Sequence, residues 1–223
     1  SATETVTLTV NSDGASNNRP ELDDTATPQL DIIMENSDGG NGNSIAEIIP
    51  DGAITDPDGP APEAITIVEV NTSEAGGTWK YSLDDGSTWS NFGSVAADNA
   101  LLLDSACRIR FDASGRNDPG TAYFTFKAWD KTDDNNVGAK VDTSSGNAFS
   151  ANSDVAQVVV NDTNQRPVIN TNDAPQLYPI NEDNTTSNGT KIEEVFTLDD
   201  AITDEDYATY TDAPRSIAVT WVD

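Results

Sequence analysis

An all-β fold, an antiparallel β-sandwich, is predicted by three features of the sequence. Apolar and polar residues alternate with period two through most of the chain, no segment of useful length carries the helical period, and Asp-Gly, Asn-Gly and Pro-Gly pairs punctuate the alternating runs. The expected strands lie near Glu4 to Val10, Gln29 to Met34, Ser44 to Ile49, Ala64 to Val70, Thr78 to Leu83, Cys107 to Phe111, Thr121 to Trp129 and Asp154 to Val160. Side chains two apart share a face of a strand, so Trp79, Tyr81 and Leu83 form one candidate core stripe and Phe124, Phe126 and Ala128 another.

An internal repeat sets the boundaries. Six of the eight residues of Asp51-Gly-Ala-Ile-Thr-Asp-Pro-Asp58 return in Asp199-Asp-Ala-Ile-Thr-Asp-Glu-Asp206. Arg19-Pro20 returns as Arg166-Pro167, Pro28-Gln-Leu30 as Pro175-Gln-Leu177, and Glu35 as Glu182. Thr5-Val-Thr-Leu-Thr-Val-Asn11 resembles Val155-Ala-Gln-Val-Val-Val-Asn161, and both precede a polar stretch ending in Arg-Pro. The expected organisation is a terminal strand and linker of one module at 1–18, a complete module at 19–165, and the opening of a further module at 166–223. That opening packs on the middle module or pairs with the N-terminal strand as a split domain. Such an array works as stacked, linked modules.

Charge then narrows the function. The chain has 39 acidic residues against 11 basic ones, no histidine, and a formal net charge of -28. Self-repulsion of that size destabilises a compact fold unless cations neutralise it. Nucleic acid and anionic membrane both require basic patches, which are missing, and no apolar run of membrane-spanning length exists. Four Trp, six Phe and five Tyr suffice for modest cores. The single Cys107 has no partner for an internal disulfide and reads as a small buried hydrophobe.

The acids gather with Asn and Gly in short loops, the pattern that suits Ca2+, which takes six to eight oxygen ligands from carboxylates, amides, carbonyls and water. Candidate ligands are Glu35 and Asn36 after the second strand, Asp56 and Asp58 in the repeated loop, and Asn161, Asp162 and Asn164 at the strand exit. Glu182, Asp183, Asp204 and Asp206 are their counterparts in the repeat. A carboxylate at a strand exit, one on the next module and an Asp-x-Asp loop are expected to converge on one ion and stiffen the junction. Further candidates are Asp84 and Asp85, then Asp130, Asp133 and Asn135, and the Gly-rich run Asp38 to Asn43, each also readable as a solvated turn. Trp89, Tyr123 and Trp129 are candidate ligand-binding aromatics, able to stack on a sugar or clamp a peptide, with core packing the competing assignment. Tyr207 and Tyr210 fall in an Asp-rich loop.

Gly77-Thr-Trp-Lys-Tyr-Ser-Leu-Asp-Asp-Gly-Ser-Thr-Trp89, then Ala100-Leu-Leu-Leu103, Arg108-Ile-Arg-Phe111, Phe126-Lys-Ala-Trp-Asp130 and Val141-Asp-Thr143, resembles the cadherin-like repeats of giant bacterial surface adhesins of the repeats-in-toxin class. The resemblance covers roughly residues 19 to 162, and the tail matches only the opening of such a repeat. It implies an Ig- or cadherin-like sandwich in tandem modules, Ca2+ in the loops, and a secreted, cell-surface protein that serves in attachment and biofilm formation. Its partners would be a peptide, protein or glycan on a target surface and the adjacent modules of its own chain. The nonapeptide calcium repeats and secretion signal of that class are not present in this sequence.

Enzymatic templates that use histidine or zinc-binding cysteine are excluded, and a protein without catalytic activity is expected. Two functions remain: a monomeric ligand-binding module or a purely structural, calcium-rigidified extender. The extra loops expected at 36–44, 84–106 and 130–152 exceed what a minimal sandwich needs and favour ligand binding if they gather at one end.

Overall fold

The computed structural model describes residues 16–169, 176–195 and 202–204, and the chain divides into two units, 1–162 and 163–223. The expected strand Glu4 to Val10, together with Asp206, Tyr207 and Tyr210, lies outside the described residues.

In the first unit the order is β1 (Glu21–Leu22), β2 (Ile33–Met34), β3 (Asn43–Ser44), the four-residue helix α1 (Ile45–Ile48), β4 (Ile54–Thr55), β5 (Ile65–Asn71), β6 (Thr78–Ser82), β7 (Ser90–Asn91), β8 (Ala100–Leu103), β9 (Arg108–Asp112), β10 (Gly120–Ala128), β11 (Lys140–Val141) and β12 (Asp154–Asn161). A six-stranded sheet runs β11-β8-β5-β10-β12-β2, and a four-stranded sheet runs β3-β9-β6-β7. All pairings are antiparallel except β12 with β2, so the larger sheet is mixed. The described residues are nearly all β; in the first unit the six- and four-stranded sheets share one core, as in a sandwich, and β1 pairs with β4 as a separate two-stranded sheet.

Alternation builds the core as expected on the longest strands. Ala122, Phe124, Phe126 and Ala128 of β10, and Ala156, Val158 and Val160 of β12, turn inward and are buried. Trp79 on β6 reaches across from the smaller sheet, its ring 5.1 Å from Phe124 edge-on and 5.0 Å from Phe111. Burying one such ring contributes about 1.5–3 kcal/mol, with about 0.5–1.5 kcal/mol more from each well-oriented aromatic pair. Tyr81 shares that stripe, half-buried, but Leu83 does not. The strand stops at Ser82, whose hydroxyl accepts the N–H groups of Asp84 and Gly86, and the resulting turn leaves Leu83 exposed.

Two further expectations change. Ser44 to Ile49 is not one strand: Ser44 ends β3, and Ile45 to Ile48 form α1. The Ser44 side chain accepts the Glu47 N–H at 3.2 Å while Glu47 accepts the Ser44 N–H at 2.7 Å, a capping box that starts α1 and places Ile45, Ile48 and Ile49 in the core. The segment 84–106 is not a loop either, because it contains β7 and β8. Ala100 to Leu103 is buried on every residue because both faces of the larger sheet are covered there. On the outer side Leu102, Ala64, Trp129, Ala148 and Phe149 form a second, smaller cluster. A doubly covered strand reads as a continuous apolar run, without alternation.

The second unit repeats the opening of the first. Its β13 (Val168–Ile169) pairs with β14 (Ile202–Thr203) as β1 pairs with β4. Helix α2 (Ile192–Val195) follows Lys191, whose N–H donates to Glu194 as that of Ser44 donates to Glu47. The Tyr178 N–H donates to Thr190 as the Asp31 N–H donates to Asn43. Equal spacings have thus folded into equal local contacts.

Candidate functional site

Strand register distributes the acidic candidates of the first unit between two ends. Asp130 follows β10 at the end where β12 begins, since Phe126 lies opposite Asp154. Glu35 follows β2 at the end where β12 finishes, and its N–H donates to the Asn161 carbonyl at 2.8 Å. Seven residues of β12 separate these ends, about 23 Å at the usual strand rise. Within the unit, therefore, Glu35 and Asn36 do not converge with Asp56 and Asp58, because the segment from Gln29 to Met34 runs parallel to β12, from Gln157 to Asn161, toward the far end.

At the leading end the polar linker docks on the acids. Asn18 donates its backbone N–H to Asp58 Oδ2 at 2.6 Å and its amide to Asp58 Oδ1 at 2.8 Å. Asn17 donates to Asp130 Oδ2 at 2.8 Å and to the Asn147 carbonyl, and the Asn147 amide returns a bond to the Asn17 carbonyl. Asp130, buried, also takes the Thr132 N–H and hydroxyl, and Asp56 takes the Asp58 N–H at 2.7 Å. Asn17, Asn18 and Asn147 were not among the sequence candidates. Their signal was available, because Asn17-Asn18-Arg19-Pro20 aligns with Asn164-Gln165-Arg166-Pro167, where Asn164 was a candidate.

At the other end Glu35 is buried, while Asn161 and Asp162 are exposed. Asn36 takes a left-handed turn (φ 60°) that its short amide side chain tolerates, and its Oδ1 accepts the Gly115 N–H at 2.8 Å. In the second unit Asn164 donates to the Gln165 carbonyl, Glu182 and Asp183 are exposed, and Asp204 is half-buried.

Several candidates are engaged by the protein itself. Asp84 closes its turn by accepting from Ser82 and from the Thr88 N–H and hydroxyl, and these bonds, the Ser82 hydroxyl first, hold its carboxyl below the usual range. Asp85 pairs with Arg108 at 3.3 Å. The Gly-rich run 38–43 is clamped by arginines: Arg108 donates to the Asn41 and Gly42 carbonyls and Arg110 to the Gly40 carbonyl. Two guanidinium groups there oppose a bound cation. A side chain at Gly42 (φ 56°) would meet the Ile109 carbonyl oxygen at 2.1 Å, so glycine is required for this close approach.

The aromatic candidates separate as well. Trp129 is fully buried in the outer cluster, with its Nε1 donating to Asp133 Oδ1 at 3.0 Å, so it packs and offers no stacking face to a ligand. Asp133 Oδ2 in turn accepts the Asn135 amide. Trp89 is half-buried under the Arg110 guanidinium, 4.3 Å from the ring centroid. Tyr123, half-buried on β10, accepts the Asn71 amide at 2.7 Å.

Among the described residues no three acidic or cysteine side chains form a ready-made metal-holding group. The leading end nonetheless carries an all-oxygen donor set, the carboxylates of Asp56, Asp58 and Asp130 with nearby linker carbonyls, which fits a hard cation in chemistry. Each carboxylate there is now satisfied by amide or hydroxyl donors, which a cation would displace. No described helix is long and apolar enough to cross a membrane. No protein-family model, curated protein or solved structure matches the chain.

Proposed function

We propose that this chain is a calcium-rigidified extender segment of a bacterial surface adhesin, a non-enzymatic protein whose linked sandwich modules project an attachment function away from the cell. The observation that carries the reading is the docking of linker residues Asn17 and Asn18 onto Asp130 and Asp58. The linker sequence and the Asp-x-Asp loop both recur, at 164–167 and 204–206. An acidic loop gripping the linker is where a cation would lock one module to the next, and it would relieve part of a charge of -28.

The ligand-binding alternative is weakened by the dispersal of the long segments. Residues 38–43 lie on β9, 84–106 supply β7 and β8, and 130–152 cover the outer face of the larger sheet. Trp129 is spent on packing. Melting of the full chain with calcium and with excess chelator tests the proposal. An ion that binds only the folded state adds about 4 kcal/mol at a thousandfold excess over Kd. Equal melting temperatures would remove calcium from the account, and saturable capture on a peptide or glycan array would restore the ligand-binding reading.

A further inference from the structure

We propose that Asp154, with Asp23 and Asp24, forms a second site for a hard divalent cation of the calcium type, and that an ion bound there ties β1 to β12. Asp154 is the first inward residue of β12, on the stripe continued by Ala156, Val158 and Val160. Its cross-strand neighbour on β10 is the fully buried Phe126, and residues directly opposite share a face, so a carboxylate stands at the rim of the apolar core. It is only 7 % exposed. Its Oδ1 accepts the adjacent Val155 N–H at 2.7 Å, while its Oδ2 is buried with no hydrogen-bond partner. Among the described residues no ion pair reaches it. A carboxylate oxygen buried in that state is costly until a cation or a proton satisfies it.

The surroundings favour the cation. Leu22 of β1 joins the inward residues of β12 in one core, and Glu21 and Leu22 line a cleft with Ala151 and Asn152, which lead into β12. Asp23 and Asp24, both exposed, follow directly on β1. Burial first, then the charges of Asp24 and Asp23, push the Asp154 carboxyl up, so the three groups repel one another around one unpartnered oxygen. A divalent ion reverses that repulsion. Asp154 supplies the fixed ligand, and the exposed turn closes on it. Asp23 engages the Thr25 N–H and hydroxyl through Oδ1, which leaves Oδ2 to the ion, and backbone carbonyls and water complete the six to eight oxygens that calcium takes. Arg19 also lines the cleft, but its Nε donates to the Asn147 amide oxygen at 3.3 Å.

Among the described residues β1 and β12 are the first and last strands of the first unit. A load on the chain enters through one and leaves through the other, and an ion bridging Asp23 and Asp24 to Asp154 resists their separation. That use rests on the extender reading. The site itself shares no residue with the linker contacts of Asp56, Asp58 and Asp130, so each is tested without the other.

Calorimetric titration of the full chain with calcium, together with melting in calcium and in chelator, tests the site. Asp154→Asn keeps the side-chain shape and should weaken one class of calcium binding by at least about tenfold, since ligand charge sets the affinity of such sites. It should raise Tm in chelator, where it removes a buried charge, and lower Tm in calcium, where it removes a ligand. A role in packing alone would give the same sign in both. Asp23→Asn/Asp24→Asn, which keeps the Oδ1 acceptor for Thr25, should weaken the same binding with little change of Tm in chelator. Asp56→Asn/Asp58→Asn should leave it intact. Calcium binding lost in Asp56→Asn/Asp58→Asn but unchanged in Asp154→Asn would overturn this site and keep the linker one, and the converse result would keep this site and remove the other. A Tm change of the same sign in calcium and in chelator for Asp154→Asn would also overturn the proposal.

Discussion

Asn18 binds Asp58 through both its backbone N–H and its side-chain amide, at 2.6 and 2.8 Å, so the residue just before Arg19-Pro20 is fastened to the repeated acidic loop. The grip uses both carboxylate oxygens of Asp58. Any cation that enters this loop must exchange with the linker, which couples ion binding to the direction in which the chain leaves the sandwich.

The double variant Asp56→Asn/Asp58→Asn is therefore expected to lose most of the calcium-dependent rise in melting temperature. Asp84→Asn/Asp85→Asn should keep it, because Ser82, Thr88 and Arg108 already engage those carboxylates. Calorimetric titration of both variants decides the matter. Equal calcium affinities would show that the repeated loop is not the site.

Trp79 and Trp89 are separated by ten residues and should differ widely in energetic weight. Trp79→Ala empties the centre of the sandwich, where its ring meets Phe92, Phe111 and Phe124, and should cost about 3–5 kcal/mol. Trp89→Ala loses a half-exposed stack with Arg110 and should cost about 0.5–1 kcal/mol. Urea unfolding gives both numbers, and a Trp79→Ala cost below that of Trp89→Ala would contradict the assigned core.

Acid should weaken the protein through Asp112. Burial pushes its carboxyl up, but the Lys80 ammonium at 2.6 Å and the Ser114 N–H outweigh it and lower the group to about 2. The folded carboxyl binds its proton less tightly than the unfolded one, so its contribution is full above about pH 4 and is lost as pH falls through about 2. That contribution is on the order of 1–2 kcal/mol. Lys80→Met should reduce the stability difference between pH 5 and pH 2, read by denaturant titration at each pH. An unchanged difference would refute the pairing.

Asp154 should respond in the opposite sense. It is buried, its Oδ2 has no partner, and burial first, then Asp24 and Asp23, push its carboxyl up. The native carboxyl holds its proton more tightly than the unfolded one, so at neutral pH the charge is a liability. In chelator at neutral pH, Asp154→Asn is expected to raise Tm, at about 2–4 °C for each kcal/mol recovered in a protein of this size. The gain should fade as acid protonates the native carboxyl. A lower Tm for the variant at neutral pH would mean that the charge has a partner it needs.

The sequence by itself determined the strands whose faces differ, because alternation is a local signal. Phe124, Phe126 and Ala128 lie in the core on the face that spacing assigned to them. The contacts shared by Ser44 and Lys191 emerge only in the structure, although the repeat spans both positions. Tertiary structure alone decided the fate of Ala100 to Leu103 and of Trp129. Both are buried by what folds over the outer face of the larger sheet, and that cover comes from residues far away in the chain. Ser44 to Ile49 stood between the two. Its Ser-x-x-Glu capping signal was legible, yet packing of Ile45, Ile48 and Ile49 against the core makes so short a helix stable. The acidic loops show the same division. Composition marks Asp56, Asp58 and Glu35 alike, but the register of β2, β10 and β12 sends the first two to one end of the sandwich and the third to the other, since distance along a strand is set by pairing and not by residue type.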